Sequence, residues 1–154
     1  MEGKSHTMHY QHLLIMLVLS AIAMYVLMFA MVNEWADVYM NANNLYMAVL
    51  MAAPMGLIEL AVMRSMYRHR RLNIVVIAGS LVALAGAWLL IRQQGGISDA
   101  QFLRSMIPHH SSAILMCQRA PLVDPEIHAL CRSIVQSQQS EIDLMKAMLN
   151  SRGQ

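Results

Sequence analysis

From Leu13 to Val32 the chain reads LLIMLVLSAIAMYVLMFAMV, with no charge and a single serine. At about 1.5 Å of helix rise per residue such a run spans roughly 30 Å, the hydrocarbon thickness of a bilayer. It is too long for the apolar core of a signal peptide, and no A-x-A-like cleavage site follows it, so the pattern predicts a retained membrane helix. Two further apolar runs follow. Leu45–Met63 carries Pro54, Gly56 and one charge, Glu59, whereas Ile74–Ile91 is uncharged and carries Ala78, Gly79, Ala83 and Gly86. Small residues at such spacings let membrane helices approach closely.

After Arg92 the pattern changes to amphipathic. Phe102, Leu103, Met106, Ile107, Ala113 and Ile114 recur at helical spacing, as do Ile127, Leu130, Ile134, Ile142, Met145 and Leu149. Ser98 followed by Gln101 resembles a capping box, and Asp99 suits the helix dipole. Pro108 should kink or restart the first of these helices. Asp124 is a natural N-cap with Pro125 at the first helical position, so APLVDPE predicts a turn between two helices. The predicted fold is therefore all-α: three transmembrane helices (about 13–32, 45–63 and 74–91) after a 1–12 tail, then an exported antiparallel helical hairpin over 93–154.

Loop charges orient the spans. RSMYRHRR, Arg64–Arg71, holds four arginines, which keeps it on the cytoplasmic side; NEWADVYMNANN between the first two runs has two acids and no Lys or Arg. Tyr10 and Tyr67 then mark the inner interface, and Trp35, Tyr39, Tyr46 and Trp88 the outer one. This predicts a bacterial inner-membrane protein with a cytoplasmic N-terminus and a periplasmic or extracellular C-terminal domain. Glu59 lies close enough to Arg64 to snorkel toward the arginine cluster. His6, His9 and His12 fall in the tail, and the methionine stripes Met24, Met28, Met31 and Met47, Met51, Met55 suit flexible packing within the first two spans.

Composition agrees with this division: 57% of the 154 residues are hydrophobic and 13% charged, against about a quarter charged in ordinary soluble domains. A net charge of +2 and the lack of a Gly-rich phosphate loop exclude nucleic acid as the expected partner. A redox enzyme using the cysteine pair or a bound copper is a third reading, but no nucleophile, base or substrate pocket can be named for it, so an enzyme is not the expectation.

The 16 methionines and two cysteines bring in chemistry. Met106, His110, Ala113 and Cys117 share one face of the first hairpin helix, with His109 and Met116 to one side. Folding about the turn sets Cys117 opposite His128–Cys131, His109–His110 near Val135–Gln138, and Met106 near Glu141 and Met145. Thioethers and thiolates select Cu(I), and imidazoles accept Cu, Zn, Fe or Ni. Cys117 and Cys131 either form a disulfide, as an oxidising compartment favours, or act as thiolate ligands beside His110 or His128.

The spaced elements Phe102-Leu103-x-x-Met106-x-x-His109-His110, Met116, and Gln138-x-x-Glu141-Ile142-x-x-Met145 resemble the bacterial domain of unknown function 305 family over Asp99–Leu149. That resemblance implies a ferritin-like helical fold, some members being periplasmic copper-binding proteins. It carries over Met106, His109, His110, Met116, Gln138, Glu141 and Met145 as characteristic residues. Cys117 and Cys131 depart from it, because small residues such as Ala are common there. The expected ligands are thus Met106, His109, His110, Met116 and Met145, with Cys117 and Cys131 as further candidates and Gln138 and Glu141 orienting imidazoles. The expected function is a membrane-anchored, periplasm-facing binder of copper, Cu(I) favoured over another late transition metal, in copper handling or tolerance. The alternative is an accessory or assembly subunit of a larger membrane complex, with no metal chemistry of its own. A single hairpin has too small a core to stand alone. A homo-oligomer or partner membrane subunits, besides the lipid bilayer, are therefore expected.

Overall fold

Length and apolarity carry three helices and amphipathicity two more. The computed structural model describes residues 2–152, with side chains from residue 8 onward, and holds five α-helices and no strand among them. They are α1 (Glu2–Leu27), α2 (Ala42–Val62), α3 (Arg70–Gln93), α4 (Asp99–Arg119) and α5 (Pro125–Ser151), with 3-10 turns at Met28–Met31 and Trp35–Asp37. Segments Met8–Met31, Ala42–Val62 and Arg70–Gln93 are long and apolar enough to cross a membrane, at mean hydropathies of 2.7, 1.9 and 2.6. Helix α1 begins at Glu2, so the polar positions before the first apolar run extend that helix; the side chain of His6 lies outside the described residues.

The chain forms two compact units. One comprises the residues up to Leu27 together with Asn43–Gly96; the other comprises Met28–Ala42 together with the chain from Ile97. In the first, α2 buries Ala48, Ala52, Ala53, Gly56 and Leu60, a stripe at helical spacing. A Cβ on Gly56 would stand 2.8 Å from Ser80 Oγ and 3.4 Å from Leu17 Cδ1, so all three helices converge there. The close approach expected at Gly79 and Gly86 is not found, since a Cβ at either meets nothing within 4 Å. Sequence spacing shows where small residues are, whereas packing decides which of them a neighbour needs. At the α2–α3 loop, Leu13, Leu60 and Tyr67 form a buried cluster. Tyr67, within the arginine-rich loop, donates to Glu59 Oε1 at 3.3 Å. Tyr10 packs edge-on against Tyr67 with ring centroids 5.1 Å apart and donates to Asn73 Oδ1 at 2.6 Å.

In the second unit α4 and α5 pack antiparallel. Leu103, Ile107 and Ile114 meet Ile142, Met145 and Leu149, with Tyr39, Ala100, Met106 and Val135 against this core. Ser98 caps α4 by accepting from Gln101 N at 3.4 Å, as the spacing predicts. The Gln101 side chain does not close the capping box; its Oε1 accepts from Ala42 N at 2.9 Å. Pro108 lies inside a continuous α4, which neither stops nor restarts there. Asp124 Oδ1 accepts from Glu126 N at 2.7 Å, with Pro125 in the first turn of α5.

Residues 28–42 pack against the hairpin as a strap. Asp37, only 4% exposed, pairs with Lys146 through Oδ1 and accepts from the fully buried Ser111 Oγ at 2.6 Å through Oδ2. Ser111 Oγ in turn accepts from Asn33 N at 3.0 Å. Burial alone would disfavour the charge on Lys146, but the hydrogen bond and charge of Asp37, helped by Tyr39 and Glu34, outweigh it and raise its pKa above 10.5.

Candidate functional site

Position 110 lies on the rim of the α4 face that carries Ile107 and Ile114, one helical step away from the core, so its imidazole sits between core and surface. The His110 side chain is 12% exposed and its Nδ1 stands 3.1 Å from Glu141 Oε2. The approach is not aligned as a hydrogen bond, which leaves Nδ1 buried without a hydrogen-bonding partner. Glu141 Oε1 accepts from Ser137 Oγ at 3.1 Å, one turn back along α5, which holds the carboxylate beside α4. The pKa of His110 is lowered, first by burial and then by the neighbouring His109, against the opposing charge of Glu141. That lowering disfavours the charged imidazolium. The exposed His109 ring lies 6.0 Å from that of His110, tilted by 57°.

Of the expected site residues, the structure gathers His109, His110 and Glu141, with the half-buried Met106 one turn before His110. The pairing partner of His110 is Glu141, about one turn further along α5 than the Val135–Gln138 expected from the turn position. Met145 goes into the core, 8% exposed. Met116 is 52% exposed and lies six residues beyond His110, about 9 Å along the helix. Gln138 is half-buried one turn of α5 before Glu141. Cys117 and Cys131 form a disulfide with Cα atoms 5.2 Å apart, so neither offers a thiolate. The disulfide borders a cavity of about 300 Å³ with Gln118, His128, Arg132 and Val135 among its walls. His128 is tied down at 2.9 Å to the Leu122 carbonyl. Among the described residues, no cluster of three or more His, Cys, Asp or Glu side chains could hold a metal ion.

Sequence reasoning missed the strap. Asp37 and Lys146 are paired beneath it, and Asp37 reads in sequence as one of two acids in an exported loop. The one available signal was an acid amid Trp35, Val38 and Tyr39, too apolar a setting for a purely solvated turn.

The family model described as Domain of unknown function (DUF305) matches residues 88–149, which contain α4 and nearly all of α5. An uncharacterized protein of Acanthamoeba polyphaga mimivirus is 32% identical over 146 residues, covering 91% of this chain and 92% of that protein. The likeness therefore runs through the three apolar helices as well as the hairpin. No solved structure matches the chain.

Proposed function

This chain belongs to the domain of unknown function 305 family through its C-terminal part, and from that premise we propose that it is a membrane-anchored metal-binding protein that takes copper, as Cu(I), at the His109–His110 end of its hairpin. The three apolar helices anchor it in a bacterial inner membrane, with the arginine-rich 64–71 loop in the cytoplasm and the hairpin in the periplasm. A disulfide between Cys117 and Cys131 suits an oxidising compartment.

The observation that carries the metal reading is the buried Nδ1 of His110, which has no hydrogen bond and belongs to an imidazole whose pKa is lowered by burial. A neutral imidazole nitrogen is a ligand for late transition metals. The available donors are few: the two imidazoles and the Met106 thioether, with Glu141 as the carboxylate beside them. Such a set suits Cu(I), which accepts few ligands and likes thioethers, better than zinc, whose structural sites are closed by four. The residues present fit that ion with a smaller shell than the sequence suggests. His110 and His109 would hold the ion, Met106 would supply sulfur, and Glu141, braced by Ser137, would stand as the carboxylate beside them. Bound copper would let the protein sequester or pass on the ion.

The test is the copper content of the full-length protein, purified in detergent under reducing conditions, beside the H109A/H110A variant. The wild type should copurify with copper and the variant should lose it. A metal-free wild type, or a variant with the same content, would sink the reading and favour an accessory subunit.

A further inference from the structure

Among the three apolar helices lies a cavity of about 380 Å³, within the range of small-molecule sites. Small residues make its floor. Ala52 and Ala53 of α2 and Ser80 of α3 are buried there, and Gly79 beside Ser80 brings no side chain. Its rims are exposed, with Leu14 and Val18 on α1 and Val75 on α3. The cavity is therefore a groove, open toward whatever surrounds the helices. A Cβ on Gly79 would meet nothing within 4 Å, so no side chain of this chain reaches into that part of it.

The length of the groove separates its possible occupants. Its wall on α1 runs from Tyr10 to Ala21, which at about 1.5 Å per residue is roughly 16 Å. The hydrocarbon core of a bilayer is about 30 Å thick, so the groove is one leaflet deep. A crossing helix would need the whole thickness, whereas an acyl chain needs half. Charge marks which end receives the headgroup. Tyr10 donates to Asn73 Oδ1 at 2.6 Å, and Asn73 Nδ2 donates to the Tyr67 carbonyl at 2.8 Å, so this end opens beside the 64–71 loop. That loop holds four arginines and no acid. Arg71 lies one turn before Val75 and two before Gly79, on the α3 face that lines the groove. Arg70 stands next to it, and both are exposed. The first turn of α3 carries no acid, and among the described residues neither arginine has an ion-pair partner.

We propose that this groove holds one acyl chain of an anionic phospholipid, drawn from the leaflet beside the 64–71 loop, with its phosphate on Arg70 and Arg71. Arginine stems lie along apolar surface while their guanidinium groups reach the headgroup level, where the planar fork matches phosphate oxygens. Basic side chains beside a membrane helix favour anionic over zwitterionic lipid, whose own cation opposes them. The site rests on the three helices forming a membrane anchor and is independent of the metal reading.

The experiment titrates the detergent-solubilised full-length protein with phosphatidylglycerol and, separately, with phosphatidylcholine of the same acyl chains, read by native mass spectrometry. Wild type is compared with Gly79→Leu, Gly86→Leu and R70A/R71A, with helicity by circular dichroism as the control for folding. A Cβ has open space at either glycine, but only Gly79 lines the groove. Wild type should hold one phosphatidylglycerol in preference to phosphatidylcholine. Gly79→Leu should lose it, and Gly86→Leu should keep it. R70A/R71A should weaken phosphatidylglycerol binding by roughly thirtyfold, to the level of phosphatidylcholine. Equal affinity of the wild type for the two lipids, or retention of phosphatidylglycerol by Gly79→Leu, overturns the proposal. So does a second polypeptide bound to wild type and released by Gly79→Leu, which would assign the groove to a helix. A chain that needs detergent yet binds neither lipid overturns the site and leaves the anchor standing. One that stays in solution without detergent overturns both.

Discussion

Removing the Asp37 carboxylate should release residues 28–42 from the hairpin while leaving the hairpin folded. In the native chain this carboxylate is 6% exposed and serves Lys146 and Ser111 at once. Truncating one partner of a fully buried ion pair costs about 3–5 kcal/mol. Lys146 is 26% exposed and can partly rehydrate, which reduces that cost to about 2 kcal/mol. The fully buried Ser111 hydroxyl loses its acceptor, for about a further 1 kcal/mol. Asp37→Ala should thus lower the opening free energy of the strap by about 3 kcal/mol, which speeds its amide exchange roughly a hundredfold. The assay is hydrogen–deuterium exchange of the detergent-solubilised protein, read over residues 33–38 and over the α4–α5 core. Asp37→Asn combined with Lys146→Met should recover much of the loss, because neither leaves an uncompensated charge. The same pair sets a pH limit. The Lys146 pKa is raised in the folded state, so its stabilisation is fully present below 10.5, the unfolded value, and is lost as pH rises through the higher folded value. Unchanged exchange over 33–38 in Asp37→Ala would refute this account of the strap.

Three further outcomes follow from the same structure. Serine at both Cys117 and Cys131 opens a loop of sequence separation 14 and should cost about 3 kcal/mol in urea unfolding of the hairpin, whereas no change would mean the bond is idle. The lowered pKa of His110 means the unfolded chain binds its proton more readily. Wild-type stability should therefore rise as pH increases through the window just below 6.5, and Glu141→Gln should lower the His110 pKa further in an NMR titration. Gly56→Val should lower the thermal midpoint of α1–α2–α3 in detergent, since Ser80 and Leu17 already fill that space, while Gly86→Val should be tolerated.

The three apolar runs and the two amphipathic helices were readable because each pattern has a single length scale, either bilayer thickness or helical period. The Asp124 cap and the Cys117–Cys131 approach were readable because they are local to one short turn. Contacts set by burial across long separations were not. Asp37 lies 74 residues from Ser111, and nothing in a one-dimensional pattern links an acid in a loop to a serine on a distant helix. Among the candidate ligands, His110 and Glu141 met within one turn of the expected register. Met145 followed its own helical spacing into the core, and Met116 lies exposed on α4. Shared chemistry along a sequence shows which side chains like a metal, while helix phase decides which can face it together.

The most direct test of the central claim is X-ray absorption at the copper edge of the Cu(I)-loaded, full-length protein, beside H109A/H110A. The account predicts imidazole scattering with at most one sulfur neighbour, and loss of the imidazole features in the variant. A sulfur-only shell, or a spectrum the variant leaves unchanged, would contradict it.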